Sequence, residues 1–315
     1  MAAVQRRFLQ RWGALLFGND KIAIIHFLQG QGLISVVKAC PGCQLPMRLE
    51  RNDGCCDGYR WRCNRRRFPT TSMRIREGTI FHDWTRVSLP DLFFVIYLWA
   101  SKISMTKTTN IVGILKEHVI KMFQKLRGIC TRELQRNPIT LGGGGINFVV
   151  QIDESQFQHA KRGGRGRRAQ PVWVFGLVDT RFTPAKGCME IVNRRNRPTL
   201  VGVINRVLNP NSVVHSDEWR AYNRLQQFVP NCIQHNTVNH TYHFVDPVTG
   251  AHTQHIESYW NRFKLKLKAM KGIELQYLES YMNEFMWRDW YGLDQPFDNI
   301  ITAVNIYYPQ CDGPK

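Results

Sequence analysis

The chain has 315 residues, of which 43% are hydrophobic, so it can bury a sizeable core and is too apolar to be disordered throughout. Its 43 Lys and Arg outnumber its 24 Asp and Glu, which gives a formal charge of +19. This excess predicts a polyanionic partner, most simply a nucleic acid. Nine cysteines, an odd number, argue against a disulfide framework and for a reducing compartment.

The N-terminal segment, residues 1–38, predicts two short helices. It begins with MAAVQRRFLQRWGALLFGN, which is basic and has no acidic residue before Asp20. Such a start is also typical of a mitochondrial transit peptide. Because residues such as Trp12 and Leu16 fit an ordinary apolar helix face, we interpret the segment as part of the fold.

Residues 39–84 predict a small, loop-rich module with five of the nine cysteines. Cys40-Pro-Gly-Cys43 puts two thiols on a tight turn, which suits tetrahedral Zn²⁺. The candidate zinc ligands are Cys40, Cys43, Cys56 and Cys63, with Cys55 as the alternative to Cys56. The opposing interpretation is a decayed site that no longer holds metal.

Apolar residues recur at helical spacing in residues 85–141, which predicts a helical region. Its most apolar stretch, LPDLFFVIYLWA (89–100), is interrupted by Asp91 and is too short to span a bilayer, so we expect no membrane partner. The run Gly142-Gly-Gly-Gly145 then indicates a flexible boundary.

Residues 142–308 read as strands followed by strands that alternate with helices, which predicts a mixed α/β domain. Two strand-like runs share one pattern, Val149-Val-Gln-Ile-Asp153 and Val213-Val-His-Ser-Asp217. Each ends on an aspartate, and neighbouring strands of one sheet would bring the two carboxylates together. A divalent cation between them would offset their repulsion.

Asp217 also has an ordinary interpretation as a helix cap. Ser-Asp-Glu before an apolar-periodic run is typical of a helix start, because side-chain oxygens satisfy the free backbone N–H groups there. The residues alone leave both interpretations open.

A further helix is predicted over residues 253–270. Its apolar stripe consists of Ile256, Trp260, Phe263 and Leu267, and the flanking face carries Glu257, Asn261, Lys264 and Lys268. Glu257 is therefore a candidate third carboxylate, and Lys264 and Lys268 are candidate DNA contacts. The alternative is a surface helix whose glutamate is favoured by the helix dipole.

The three acids carry a resemblance to a known family. Asp153 in QIDESQF, Asp217 in HSDEWRAY and Glu257 in GAHTQHIESYWNRFK resemble the catalytic positions of Merlin-type transposases, eukaryotic relatives of a bacterial insertion-sequence group with a DDE domain. The segment VNHTYHFVDPVTGAHT and the loop KRGGRGRR are also similar, and the resemblance spans about residues 40 to 305. It implies an α/β fold: a ribonuclease-H-like catalytic domain behind an N-terminal helical and zinc-ribbon-like DNA-binding region.

The resemblance also implies an activity and its partners. Asp153, Asp217 and Glu257 would bind two Mg²⁺ or Mn²⁺ ions for cut-and-paste DNA transposition. In that reaction water nicks the transposon end, and the 3′-hydroxyl then attacks target DNA. The implied partners are double-stranded DNA, as terminal inverted repeats and target, and at least one further copy of the chain. The implied location is the nucleus.

Two basic segments are candidate DNA contacts. HAKRGGRGRRAQ (159–170) contributes Arg162, Arg165, Arg167 and Arg168, although a solvated hairpin tip is the ordinary alternative. RWRCNRRRF (60–68) contributes Arg65 and Arg66. Here the chain departs from its relatives, which would tend to supply a further cysteine after Cys63.

Three functions compete at this point. The first is an active DNA transposase, which we favour because all three acids are present. The second is a transposase-derived DNA-binding protein without transposition activity, which the atypical cysteine pattern favours. The third is a nuclease or resolvase of similar fold. Histidines 235, 240, 243, 252 and 255 are interpreted as hydrogen-bonding groups near phosphates, with a separate zinc site as the alternative.

Overall fold

The computed structural model describes residues 2–18, 20–63, 65, 71–157 and 171–309. The chain divides into two compact units, Met1–Cys130 with Gly292–Lys315, and Thr131–Tyr291. The boundary between the two units at Cys130 and Thr131 falls inside the long helix Lys116–Arg136 and not at the run of four glycines. The C-terminal helix Pro296–Tyr307 belongs to the first unit, and the catalytic domain over 142–308 stays a prediction.

Helices dominate the first unit. They are α1 (Ala2–Phe8), α2 (Ala14–Leu16), α3 (Lys21–Gly30), α4 (Leu89–Ala100), α5 (Met105–Val112), most of α6 (Lys116–Arg136) and the C-terminal helix Pro296–Tyr307, with a π-helical turn Leu9–Gly13 between α1 and α2. The cysteine-rich region forms an antiparallel sheet of β1 (Arg48–Arg51), β2 (Tyr59–Cys63) and β3 (Thr71–Arg74).

The most apolar stretch of the sequence is the buried helix α4. Ser88 begins it, because its Oγ accepts a hydrogen bond from the Asp91 backbone N–H at 3.2 Å, and Pro90 suits the first turn. Nine of its twelve residues are buried. Across the described part of the chain, no helix is both long and apolar enough to cross a bilayer.

The second unit is built on a mixed five-stranded sheet. Its strands are β4 (Gly145–Phe157), β5 (Val172–Asp179), β6 (Lys186–Val192), β7 (Ser212–Asp217) and β8 (Cys232–Val238), in the order β6-β5-β4-β7-β8. β4, β5 and β6 are antiparallel neighbours, whereas β7 runs parallel to both β4 and β8. This mixed α/β arrangement confirms the predicted class and is consistent with a ribonuclease-H-like domain.

Helices cover both faces of this sheet. They are α7 (Arg197–Val207) on one face, and α8 (Gln254–Ala269) and α9 (Leu278–Trp290) on the other. Strand side chains alternate between faces, so Val150 and Ile152 of β4 pack in the core with α7. Gln151 and Asp153 therefore face α8.

Hydrogen bonds tie the glycine run to the sheet, which the prediction of a flexible boundary did not anticipate. The Gly142 N–H donates to Asp179 Oδ2 at 2.9 Å, and the Gly143 N–H donates to Ser212 Oγ at 2.9 Å. Gly142 has φ +77°, and a Cβ there would collide with Ser212 Oγ. Glycine is required at this position for backbone conformation and for space.

Replacing Gly142 by alanine is expected to destabilise the chain more than the same change at Gly250. Both have positive φ (+77° and +69°), but a Cβ at Gly250 meets nothing within 4 Å. Gly250→Ala should cost about 1 kcal/mol for the left-handed backbone. Gly142→Ala should cost about 1–3 kcal/mol more because of the collision. Urea unfolding measures both, and equal losses would contradict this account of Gly142.

Candidate functional site

The buried side chain of Gln151 fixes helix α8 onto strand β4. Its Oε1 accepts hydrogen bonds from the backbone N–H groups of His255 (2.9 Å) and Ile256 (3.1 Å). The first N–H groups of a helix lack partners within the helix, and Thr253 at its start gives no side-chain cap. A residue of the sheet therefore caps α8, which sets where each α8 side chain meets β4.

Trp260 makes a second connection between α8 and β4. Its indole Nε1 donates to Asp153 Oδ2 at 3.1 Å. Gly176 pairs with Asp153 across β4 and β5, and a Cβ on Gly176 would lie 2.5 Å from Trp260 Cζ2. The absence of a side chain at Gly176 therefore makes room for the indole that orients Asp153.

Asp217 ends strand β7 beside Asp153. The parallel register pairs Val150 with Val214 and Gln151 with His215, and continuing it by two residues puts Asp153 opposite Asp217. Strand alternation directs both side chains to the α8 face. The Val-Val-x-x-Asp pattern that occurs twice in the sequence thus corresponds to two neighbouring strands.

The predicted α-helix after Asp217 is absent. Asp217 Oδ1 accepts a hydrogen bond from the Trp219 N–H at 3.0 Å, and two three-residue 3₁₀ turns follow, Arg220–Tyr222 and Leu225–Gln227. Trp219 has ψ 128°, an extended value, so the chain leaves the helical path there. Asp217 stabilises a turn and does not cap an α-helix.

Glu257 lies in the first turn of α8 with its side chain exposed. Its Oε1 accepts a hydrogen bond from Thr253 Oγ1 at 3.0 Å. The same hydroxyl lies 2.8 Å from His240 Nε2, and that nitrogen is 4.0 Å from Glu257 Oε1. The carboxylate is therefore held toward the start of the helix by a hydroxyl and a histidine.

The electrostatics of the three acids are coupled. Burial, together with the negative charges of Asp217 and Glu257, raises the pKa of Asp153 to about 6. Burial, followed by the charge of Asp153, raises the pKa of Glu154 to about 7. The pKa of a carboxyl in such a place falls when a cation binds beside it, so the arrangement suits a divalent ion.

The spacing of these acids is wider than a single tight cluster. In the described residues, three ligand atoms come within 4.8 Å of one another only at Cys40, Cys43 and Cys63. No histidine group meets this criterion there either. Burial lowers the pKa of both His215 and His235 to about 4, so these rings are neutral near pH 7. They act as hydrogen-bonding groups, as with His235 Nε2 at 2.9 Å from Ser216 Oγ.

The cysteine cluster fits a zinc ion in geometry and in chemistry. The Cys43 and Cys63 sulfurs are 3.7 Å apart, and tetrahedral Zn²⁺ with Zn–S bonds of about 2.3 Å would separate its ligands by about 3.8 Å. Hydrogen bonds from the backbone of Cys43 and then Gly42 lower the pKa of Cys40 to about 7. A thiol with this pKa is readily converted to the thiolate that binds metal.

Cys56 is not part of this cluster, contrary to the predicted ligand set. Its thiol donates to the Arg86 carbonyl at 3.7 Å, and the Cys55 thiol donates to the Asn52 carbonyl at 3.2 Å. Both cysteines lie in the turn between β1 and β2, whereas Cys63 is at the other end of β2. A five-residue strand separates its ends by about 13 Å, which is too far for a shared metal ion.

The predicted DNA contacts have different outcomes. Arg66, Arg162, Arg165, Arg167 and Arg168 lie outside the described residues. Arg65 Nη1 donates to Cys43 Sγ at 3.3 Å, so this guanidinium lies against the cysteine cluster. Lys264 and Lys268 are exposed on the face of α8 that carries Glu257 and Asn261, as predicted. Contact of any of these with DNA stays a prediction.

Sequence reasoning missed the groups that orient the acids. Gln151, Trp260 and Gly176 act across the sheet, and Thr253 acts along α8. One signal was available. A polar residue at the buried position two before Asp153 shares its strand face, and a buried amide needs hydrogen-bond partners.

A comparison with protein families gives a match in this region. Residues 144–289 match the model of the ISXO2-like transposase domain. The matched segment is just under half of the chain and includes Asp153, Asp217 and Glu257. It supports a DDE transposase of the IS1595 group and a mixed α/β transposase-like domain at these residues. The cysteine cluster lies outside it.

The other comparisons add no functional argument. No curated protein matches the chain. One solved structure that it resembles is the cryoEM structure of a simian T-cell lymphotropic virus intasome in complex with PP2A regulatory subunit B56 gamma. The identity is 14% and the TM-score 0.32, over 62% of this chain and 67% of that chain. A likeness at that TM-score carries no inference.

Asp153→Asn is expected to stabilise the metal-free protein near pH 7.5. The folded-state pKa of about 6 lies above the ordinary 3.8, so ionised Asp153 opposes folding above that pKa. Removing its charge should raise the free energy of unfolding by about 1–3 kcal/mol, and the gain should shrink as the pH falls from 6 toward 4. Urea unfolding in EDTA at pH 7.5 and 5 measures this.

Asp179→Asn is the matched control. This aspartate is also buried, but it pairs with Arg181 and accepts the Gly142 N–H, so its loss should destabilise. A lower stability for Asp153→Asn at pH 7.5 would contradict the electrostatic account of the site.

The cysteine cluster is expected to hold about one zinc ion per chain. Cys40→Ser and Cys63→Ser should each lose most of that zinc, because each removes one of three clustered thiols. Cys56→Ser should retain it, since its thiol bonds a carbonyl elsewhere. Elemental analysis of the purified variants measures the metal. Zinc content that survives Cys63→Ser but falls in Cys56→Ser would overturn the assignment.

Proposed function

We propose that this chain is a Merlin-type DDE transposase that hydrolyses phosphodiesters at transposon ends and joins those ends to target DNA. The observation that supports this most is the arrangement of Asp153, Asp217 and Glu257 within the segment that matches a transposase domain. Asp153 lies within β4, Asp217 ends the neighbouring strand β7, and Glu257 lies in the first turn of the helix packed against them. The charges of Asp217 and Glu257 raise the pKa of Asp153, so the three acids share one electrostatic environment.

In this proposal the three carboxylates hold two Mg²⁺ or Mn²⁺ ions. Carboxylate oxygens are hard ligands, which such ions prefer, and a bound cation would offset the repulsion that Asp153 experiences from Asp217 and Glu257. When bound, the ions supply Lewis-acid activation of the phosphate and of the attacking hydroxyl. Asp153 keeps its orientation through the Trp260 N–H, and Glu257 through the Thr253 hydroxyl. Gln151 holds the helix and the strand at the spacing that joins these acids.

The proposal extends to the partners. Double-stranded DNA is the substrate, as terminal inverted repeats and as target, and the charge of +19 favours its binding. Lys264 and Lys268, on the helix face of Glu257, would contact its backbone. Joining two transposon ends requires at least a dimer, acting in the nucleus.

A second candidate is a transposase-derived DNA-binding protein without transposition activity. The observation that favours it is the cysteine cluster, which contains three clustered thiols in the described residues and departs from a four-cysteine ribbon. This candidate predicts tight binding to the element ends without cleavage.

Asp217→Asn is expected to lower the rates of metal-dependent cleavage and joining by at least about a hundredfold, because it removes a charged metal ligand. The assay uses DNA that carries the element's ends, with Mg²⁺ or Mn²⁺. Glu218→Gln is the control, since this adjacent exposed acid bonds Asn239 Nδ2 at 2.6 Å and has no proposed metal role. It should retain activity.

The outcomes separate the candidates. Nicking and joining by the wild type and by Glu218→Gln, lost in Asp217→Asn, support the transposase. Cleavage without joining indicates a nuclease or resolvase. Binding of the ends without cleavage in either metal supports the DNA-binding alternative.

A further inference from the structure

A surface of stacked arginines and aromatic rings lies beside the candidate acids. Arg195 is its centre: the guanidinium carbon is 3.7 Å from the ring centre of Trp173 and 5.0 Å from that of Trp219. Both tryptophans are partly exposed and pack against the α7 core with their remaining surface. The guanidinium thus lies over the Trp173 ring and near the Trp219 ring, and the core limits how those rings can move.

Two further arginines continue this surface. The Arg220 guanidinium carbon is 5.9 Å from the Trp219 ring centre. Arg197 donates to the carbonyls of Ala221 (3.2 Å) and Arg220 (3.3 Å), and its guanidinium lies 4.7 Å from the ring centre of Phe228. The arginine–aromatic patch is the set Trp173, Arg195, Arg197, Trp219, Arg220 and Phe228.

The guanidinium groups of this patch make no direct ion pair in the described residues, whereas nearby Arg206 pairs with Glu190. Stacking fixes the plane of a guanidinium and leaves its N–H edges to bind an anion. Guanidinium edges bind phosphate oxygens in a bidentate way, which a lysine does not reproduce.

The patch adjoins the candidate active site through Trp219. The backbone N–H of Trp219 donates to Asp217 Oδ1, so the ring that stacks on Arg195 is two residues from that acid. A strand bound at the patch would therefore run close to Asp153 and Asp217.

We propose that the arginine–aromatic patch binds the phosphates of a nucleic acid strand at the edge of the candidate active site. The basic segments 60–68 and 159–170, which the sequence predicted as DNA contacts, contain none of these residues. That the strand is DNA undergoing cleavage rests on the proposed function. The binding of phosphates by the patch does not.

The test is the salt dependence of binding to fluorescein-labelled DNA duplexes, measured with the full chain as purified and without added Mg²⁺ or Mn²⁺, so that no cleavage occurs. A plot of log affinity against log salt concentration has a negative slope, and each lost phosphate contact makes that slope less steep by about one. Arg195→Gln and Arg220→Gln should each make the slope less steep by about one, equally on two duplexes of unrelated sequence. Equality across sequences is expected because phosphates carry no sequence information.

Arg206→Gln is the matched control, since it removes the same charge from an exposed arginine that is already paired with Glu190. It should leave the slope unchanged. Thermal melting checks folding, and if Arg195→Gln does not fold, Arg220→Gln decides alone. The proposal is overturned if both patch variants keep the wild-type slope, or if Arg206→Gln makes it less steep by as much.

The result is separable from that of the cleavage assay. Unchanged slopes in a chain that cleaves DNA would reject the patch and keep the transposase. Less steep slopes in a chain that does not cleave would keep the patch as a phosphate-binding surface and reject the enzyme.

Discussion

The docking of α8 on β4 through one buried amide is the interaction on which the candidate site depends. Gln151 uses its carbonyl oxygen to satisfy two N–H groups at the start of α8. Two residues further along the same strand face lies Asp153, and one turn beyond Ile256 lies Trp260, whose indole donates to that acid. Fixing the helix by its first turn therefore also fixes the distance from Glu257 to the strand.

The same construction brings groups together that repel one another. Burial and neighbouring charge raise the pKa of both Asp153 and Glu154, so the ionised site opposes folding near neutral pH. The packed faces of the sheet must offset this. Large apolar side chains of α8 and α9 fill one face, including Tyr259, Phe263 and Met282, while α7 covers the other. A site that is unfavourable alone is held by a large core, as is common where function requires strain.

Local patterns in the sequence predicted the elements but not their long-range contacts. Short apolar runs predicted β4 and β7, and a 3.6-residue stripe predicted α8, because each pattern is complete within a few turns or pleats. The pairing of Gln151 with residues 104 and 105 positions later leaves no local trace. Nor does the close approach of Trp260 to Gly176, which depends on the register of two strands.

The errors have physical causes of the same kind. Helix propensity after Asp217 gave way to an extended Trp219, whose ring packs against the core. The glycine run looked like a linker, but its N–H groups find acceptors on Asp179 and Ser212, far along the chain. Cys56 had suitable chemistry and spacing, yet a β-turn directs it away from Cys63.

The parallel pairing of β4 and β7 makes the chain intolerant of changes in strand length. Side chains alternate between faces, so one residue inserted or deleted within β7 before Asp217 would turn that carboxylate from the α8 face to the α7 face. All three acids would still be encoded, in the same order and at almost the same spacing. The exposed segment that joins β8 to α8 is not bound by this alternation. Length variation among homologous chains should therefore accumulate in that connection and be absent from the two strands.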